Sequence, residues 1–232
     1  MNESTRIDEV LTNRRGEVRR FRDDYAFLSN FAKCQIRDFE GNVFTSAEAM
    51  FQSYKTTDPK ERAKFAKMSP KQAKAAGRKI KLREDWEEIK FDVMWYTVYQ
   101  KFHQNSILER KLFDTAGMDL IEGNTWGDKY WGAVPTKVPM SDGDVITLVG
   151  ENRLGQILEQ VRMVLLDCAA PQMVEIKEKN TPIEGRWYGG CCNVSAGPSI
   201  AHIADGHTFD QYYMMKMHVI EAIIKRANRD EK

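Results

Sequence analysis

The chain has 232 residues, with 35 Lys and Arg against 34 Asp and Glu and a formal net charge of +1. That balance excludes a uniformly basic DNA-coating protein and an acidic disordered tail, and the 42% hydrophobic content excludes disordered, collagen and coiled-coil classes. The length favours one sizeable core, as one domain with extensions rather than two equal domains.

Short strands are predicted first along the chain. Residues 17–22 form a strand candidate with Val18 and Phe21 as its apolar positions. Residues 34–39 alternate in polarity, and a turn signal at 40–42 separates them from Val43-Phe44. This pattern predicts a hairpin.

Three short helices are expected next. Thr45 or Ser46 can cap a helix that runs to about Lys55. Two further helices begin where a capping residue precedes a proline, because proline is tolerated at the first helical position. These sites are Asp58-Pro59 and Ser69-Pro70. Gly77 is expected to end the third helix.

Residues 84–102 give the strongest helical pattern. One stripe carries Trp86, Ile89, Val93 and Tyr96, and further apolar residues fill much of the remaining surface. A helix that is apolar on so many sides is typical of the centre of a core.

The second half of the chain predicts fewer regular elements. We expect a helix at 107–113, a strand at 118–122 and a helix at 152–166. The Gly-, Asp- and Pro-rich stretch 123–149 indicates a loop with a strand at 145–149.

Irregular structure is expected at 167–208, before a final helix at 209–227. The fold class predicted is therefore α+β, a mostly helical single domain with a few short strands.

The sequence also indicates the cellular compartment of the protein. No apolar run approaches the roughly 18–20 residues that a membrane helix needs, and the charged N-terminal stretch does not fit a secretory signal. Four cysteines, two of them adjacent, are too few and too irregular for a disulfide framework. We expect a cytoplasmic protein, in the host cytoplasm if it is phage-encoded, with no membrane partner.

The near-neutral net charge conceals a strongly basic segment. Residues 60–83 contain ten Lys and Arg against Glu61 alone, a net charge of +9, so the other residues sum to −8. Such a run is often a solvated face, but acidic partners for helical pairing are nearly absent here. Its field would attract phosphate or nucleic acid.

Several common sites are disfavoured. Neither GxGxxG, GxxxxGK[ST] nor GxSxG occurs in a suitable context. Gly150 to Gly155 lies at a helix start, where backbone N–H groups can meet a phosphate, although a cap with tight packing explains it equally. Cys191-Cys192 with His202 and His207 lacks the spacing of a zinc site, so no metal is expected.

Carboxylates beside aromatic residues are the better candidates for chemistry. Glu48 lies in the first turn of its helix, where its simplest role is to complement the helix dipole. Glu122 ends an apolar strand, and Asp128 lies between Trp126 and Trp131. A loop so rich in Trp and Gly suits a stacking pocket for a planar base, or it is merely pinned by buried Trp.

A series of motifs, taken together, resembles one family. They are YAFLSNF at 25–31, SAEAMFQ at 46–52 with Lys55, Gly77-Arg78, Leu82-Arg83 with Trp86, Val93-Met94, Lys101-Phe102 with Gln104-Asn105, LIE at 120–122, Asp128 before Trp131-Gly132, and GENRLG at 150–155 with Arg162. Their order and spacing are similar to the NADAR (YbiA-like) N-glycosidase family, over residues 20–166.

This resemblance implies a hydrolase that cleaves a C–N bond between ribose and a base or amine. Two substrate kinds follow from the family: ADP-ribose on guanine in DNA, as a reversal of toxin action, and phosphorylated ribosylaminopyrimidine intermediates of riboflavin synthesis. The basic segment favours the first. A non-catalytic binder of ADP-ribose or nucleic acid is the other alternative. No cofactor or metal is implied.

The resemblance also assigns roles to residues. Glu48 is expected to act on water or on the oxocarbenium-like cation, and Asp128 or Glu122 as acid or ribose ligand. Trp86 and Trp131 would stack the base. The remaining expected substrate-binding residues supply charges and amides: Arg22, Asn30, Lys55, Arg78, Arg83, Lys101 and Asn152.

Three departures from the family pattern limit what is carried over. Ala49 stands where the family commonly has His after the motif Glu, and residues 133–149 are an insertion. Residues 1–19 and 167–232 would be extensions of the catalytic domain 20–166, the second ending in a helix packed on the core.

Overall fold

Helices account for most of the regular structure in the residues that the structure, a computed structural model, describes: 3–141, 143–177 and 221. The helices are α1 (Glu3–Leu11), α2 (Ala47–Ser53), α3 (Pro59–Phe65), α4 (Pro70–Gly77), α5 (Trp86–His103), α6 (Ser106–Phe113) and α7 (Arg153–Lys177), with a 3-10 helix at Asp23–Leu28. The strands are β1 (Glu17–Val18), β2 (Ile36–Arg37), β3 (Val43–Phe44), β4 (Asp119–Leu120), β5 (Val134–Val138) and β6 (Val145–Val149).

Helix α5 is the centre of the hydrophobic core. Its residues Val93, Trp95, Val98 and Phe102 are completely buried, and the helix packs against α2, α6 and α7. Each such side chain contributes about 1.5–3 kcal/mol when it is removed from water. The prediction of a central core helix at 84–102 is confirmed, with bounds shifted by one or two residues.

The helices around α5 begin at the predicted capping residues. The Ser46 Oγ accepts a hydrogen bond from the Ala49 N–H, and the Asp58 carboxylate accepts one from the Lys60 N–H. At α4 the Ser69 and Gln72 side chains form a reciprocal capping box, and Pro70 occupies the first turn. These caps satisfy N–H groups that would otherwise lack partners, which is why short helices begin there.

The strands are short and pair two by two. β1 is parallel to β4, with Glu17 opposite Asp119, and β2 is antiparallel to β3, with Ile36 opposite Phe44. Strands of two residues fasten loops to the core rather than build a layer. The predicted hairpin and the mixed, mostly helical fold class are confirmed.

Three expectations about local structure were incomplete or wrong. Residues 134–138 pair with 145–149 as a hairpin, whereas only the second strand was predicted, because VPTKV combines a proline with polar residues. Helix α1 was not predicted. Helix α7 continues to Lys177, so irregular structure from 167 onward was wrong for its first residues. The final helix predicted at 209–227 lies outside the described residues, except residue 221.

Gly155 explains why α7 can lie so close to β4. A Cβ atom at this position would overlap the Leu120 carbonyl oxygen and the Asn152 side chain. Because the obstacle is backbone, it cannot rotate away. The alternative of tight packing at the GENRLG motif therefore fits Gly155.

We expect Gly155→Ala to lower the free energy of unfolding by about 1–3 kcal/mol, since overpacking carries that cost. Thermal unfolding followed by circular dichroism should show the melting temperature falling by roughly 2–4 °C for each kcal/mol.

Gly77→Ala is the comparison variant, because it also adds one methyl group at a buried helical glycine. A Cβ at Gly77 meets the Gln52 side chain, closest at its amide end, and no backbone atom. Gln52 can shift at the expense of its hydrogen bond to Glu48, so the loss of stability should be smaller. Equal melting temperatures for the two variants would contradict the backbone overlap at Gly155.

Candidate active site

A cavity of about 840 Å³ lies between the segment around Asn30, the helices α2 and α4, and the loop from Glu122 to Trp131. Its size is within the usual range of small-molecule sites. Eight of the residues predicted from the sequence line it: Arg22, Asn30, Glu48, Lys55, Arg78, Glu122, Asp128 and Trp131.

Glu48 enters the cavity wall from the first turn of a wholly buried helix. All seven residues of α2 are buried, and Glu48 itself is 6% exposed. Its backbone N–H donates to the Asn30 carbonyl oxygen at 2.9 Å. The Gln52 amide, one turn later, donates to Glu48 Oε1 at 2.9 Å. The carboxylate is therefore fixed in position by its own helix.

Opposing effects act on the ionisation of Glu48. Burial raises the pKa of this carboxyl, while the positive charge of Lys74 and the hydrogen bond from Gln52 lower it. A buried carboxylate with partners that favour its charged form suits the handling of a proton or a cation.

Glu122 follows β4 and is held by its backbone. The Glu122 N–H donates to Asn152 Oδ1 at 2.9 Å, and Asn152 Nδ2 donates to the Leu120 carbonyl oxygen at 2.8 Å. The buried Glu122 Oε2 atom has no hydrogen-bond partner within the described protein. Burial, and then the negative charge of Asp128, raises the pKa of Glu122 to about 7. This raised pKa allows Glu122 to hold a proton near neutral pH.

Asp128 has a different environment from these two carboxyl groups. Its Oδ1 accepts hydrogen bonds from the N–H groups of Tyr130 and Trp131, at 3.1 and 2.9 Å. Its own N–H donates to the buried Asn124 side chain. Asp128 therefore shapes the loop that carries Trp131, which makes Glu122 the better acid of the two candidates.

Positive side chains share this cavity with the carboxylates. Arg22, Lys55 and Arg78 were predicted, and Lys74 of α4 joins them. Burial lowers the pKa of Lys55, partly offset by the charge of Glu48. Four cations around one cavity suit a ligand that carries phosphate.

Two further predicted residues, Arg83 and Lys101, are not among those that line the cavity. The Arg83 guanidinium is buried and forms two bonds to the Asp85 carboxylate, at 2.5 and 2.8 Å. Lys101 is completely buried, and its Nζ donates to the carbonyl oxygens of Leu28 and Ser29. Burial lowers the pKa of Lys101 to about 8.

Trp86 and Asn152 likewise lie behind the wall. Trp86 is 5% exposed and packs on Phe51 with ring centroids 5.1 Å apart. Asn152 supports the backbone that precedes and includes Glu122. These residues position the wall instead of lining it.

The lining residues to which the sequence analysis gave no site role include Phe31, Gln52 and Lys74, and Trp126 was considered only as part of a Trp-rich loop. The signal for Gln52 was its spacing of one helical turn from Glu48. Lys74 was hidden among other lysines, and nothing in the sequence separated it from a solvated charge. Phe31 had only its position in the YAFLSNF motif, whereas the signal for Trp126 was the Trp- and Gly-rich loop around Asp128.

The basic segment 60–83 divides into two groups. Arg62 and Arg83 are buried and pair with Glu40 and Asp85. The others are exposed or half-buried: Lys60, Lys64, Lys67, Lys71, Lys74, Arg78, Lys79 and Lys81. On α4, Lys71, Lys74 and Arg78 are spaced along one helical face, of which the last two line the cavity.

Metal ligands and membrane spans were also considered. Among the residues whose side chains the structure describes, no group of three His, Cys, Asp or Glu could hold a metal ion. The disfavoured zinc cluster of Cys191, Cys192, His202 and His207 lies outside the described residues. In the part of the chain that the structure describes, no helix is both long and apolar enough to cross a bilayer.

Comparison with known proteins shows which family has this sequence pattern and fold. The family model of the NADAR domain matches residues 18–166. The NMR structure of the Escherichia coli protein YbiA is similar with a TM-score of 0.50 and 31% identity, covering 68% of this chain and 84% of that one.

Curated relatives agree with this family. The N-glycosidase YbiA of Shigella flexneri is 36% identical over 143 residues, or 60% of this chain and 81% of the relative. The riboflavin biosynthesis protein VVA0006 of Vibrio vulnificus is 31% identical over 66% of this chain, which spans only 39% of that protein. The predicted enzyme class, a glycosidase acting on N-glycosyl bonds, is confirmed. The cavity, the fold and the matches agree: the chain belongs to the NADAR family.

Proposed function

We propose that this protein hydrolyses the N-glycosidic bond that joins ADP-ribose to guanine in DNA. One observation carries the proposal: a single cavity combines two carboxyl groups whose pKa values are raised by burial, Glu48 and Glu122, with cations that continue onto an exposed helix face. Cleavage of a ribosyl C–N bond needs an acid for the leaving nitrogen and a carboxylate near the anomeric carbon, while the cations suit phosphate.

The two carboxyl groups divide the chemistry by their environments. Glu122, whose pKa lies at about 7, donates its proton to the leaving nitrogen as the C–N bond breaks. Glu48, held by Gln52, faces the positive charge that develops on the ribose and accepts a proton from the attacking water. The water oxygen bonds to the anomeric carbon, so ADP-ribose is released and the guanine nitrogen keeps the proton from Glu122, which leaves unmodified guanine in the DNA.

Polymer and metabolite substrates differ in what they need outside the cavity. A small ribosylaminopyrimidine phosphate needs only one phosphate site. A modified DNA strand also needs cations along its backbone. Lys71 is exposed one helical turn before the lining residue Lys74, and the exposed Lys67 lies in the turn that precedes α4. This continuity favours the polymer.

The ribosylaminopyrimidine phosphate remains the second candidate substrate, because two relatives of this chain are riboflavin biosynthesis proteins. Besides the Vibrio protein, the riboflavin biosynthesis protein PYRR of Zea mays is 30% identical over 67% of this chain. This chain spans 26% of that relative, so the relation concerns one part of it.

Glu48→Gln is expected to lower kcat by at least about 100-fold, since the amide cannot accept the proton of the water. The assay follows release of the sugar phosphate from an ADP-ribosylated-guanine oligonucleotide and, separately, from a ribosylaminopyrimidine phosphate. Glu88→Gln, an exposed change on α5, is the control and should retain wild-type activity.

Full activity of Glu48→Gln would contradict its catalytic role. If wild-type protein bound these substrates but released sugar phosphate from neither, the non-catalytic binder would be the correct alternative.

The pH dependence should follow Glu122. The acid is neutral below its raised pKa and ionised above it, so kcat/KM should fall as the pH rises through about 7. Glu122→Gln should reduce the rate and remove this limb of the profile. If the fall in kcat/KM persisted unchanged in Glu122→Gln, the titrating group would be a different one, such as Lys101.

Charge reversal distinguishes the two substrates. Lys67→Glu with Lys71→Glu should raise KM for the modified oligonucleotide by about tenfold or more and reduce its salt dependence, because phosphate contacts are lost. Turnover of the small substrate should change little. Lys60→Glu, in the same basic segment but in the first turn of α3, is the matched control. Equal effects on both substrates would argue against a DNA path along α4.

A further inference from the structure

Two large aromatic side chains that line the cavity are exposed to solvent. Trp126 is 55% exposed and Phe31 is 43% exposed, and both line the cavity that holds Glu48 and Glu122. Large exposed apolar side chains that converge on one cavity mark a ligand surface more than a stability feature.

The loop that carries Trp126 is held rigidly. The Asn124 side chain is 1% exposed and donates to the carbonyl oxygens of Asp128 and Ala133, at 2.7 and 3.2 Å. Asp128 in turn accepts two backbone hydrogen bonds within the loop. The indole is therefore exposed on a fixed turn.

The turn that carries Phe31 is held in the same way. The buried Lys101 ammonium donates to the carbonyl oxygens of Leu28 and Ser29, and the Phe31 N–H donates to the Ser29 Oγ at 3.2 Å. The Lys74 Nζ atom lies 5.4 Å from the centroid of the Phe31 ring, so a cation and a π face are offered side by side.

We propose that Phe31 and Trp126 form a stacking subsite for the planar base of the substrate, and that they determine preference for a ribosyl group bearing an aromatic heterocycle. Rings presented on fixed turns lose little entropy when a base stacks on them. Of the two tryptophans expected to stack, Trp86 is buried, and Trp131 lines the cavity but packs edge-on against Phe51 at 5.5 Å. The inference rests on the proposed function for its ligand class, but its test needs no turnover.

Calorimetric titration with two probes tests the subsite. Guanosine 5′-monophosphate and ribose 5-phosphate share the phosphate and the sugar, and only the first has a base. Wild-type protein should bind the nucleotide more tightly by about 5–150-fold, the range that corresponds to about 1–3 kcal/mol of stacking.

Trp126→Ala and Phe31→Ala should each reduce this preference and leave affinity for ribose 5-phosphate unchanged, which reports an intact cavity. Trp126→Phe should keep most of the preference for the nucleotide, because an aromatic ring remains. Ile107→Ala removes a 75% exposed side chain of α6 that does not line the cavity, and should behave as wild type.

The possible outcomes distinguish failure of the stacking subsite from failure of the proposed glycosidase activity. Equal binding of the two probes by wild-type protein, binding of neither, or a preference that survives both alanine variants would overturn the subsite, even if the oligonucleotide were hydrolysed. A preference lost in Trp126→Ala would establish it even if no substrate were turned over.

Discussion

The position of Glu48 inside a wholly buried helix is the constraint around which the site is organised. A carboxylate removed from water loses several kcal/mol of solvation unless charges or hydrogen bonds replace it. Here the replacements come from the same helix, through the Gln52 amide, and from α4, through Lys74. The close packing of α2 on α4 follows from this, and the lack of a side chain at Gly77 leaves room for Gln52.

Buried and half-buried polar side chains hold the irregular parts of the cavity wall in place. Strands of two residues cannot fix long loops, so Lys101, Asn124 and Asn152 bind backbone carbonyl groups from within. Each satisfies groups that would otherwise be buried without partners. The apolar packing around α5 gives the domain its stability, whereas these three side chains give the cavity its shape.

The sequence predicted elements that depend on local signals. Ser46, Asp58 and Ser69 marked helix starts because capping is a contact over two or three residues. Helix α1 and strand β5 pack against each other across more than 120 residues of sequence. Local signals do not contain such a contact, so the two elements were missed or left as loop.

The same limit applies to the site. Motif order identified Glu48 and Glu122, but residue type alone could not separate an Arg that lines the cavity, such as Arg78, from one paired inside the protein, such as Arg83. That distinction depends on the position of Asp85, and on burial, both properties of the folded chain.

Helix α1 packs on both strands of the β5–β6 hairpin, and Leu11 of this helix is buried. This helix and this hairpin, which lie more than 120 residues apart in the sequence, thus make up one structural unit. Neither half is self-sufficient, because an isolated two-stranded hairpin and a nine-residue helix are each marginal in water. In evolutionary terms, relatives should acquire or lose the two segments together, and the presence of one in a homologous sequence should forecast the other.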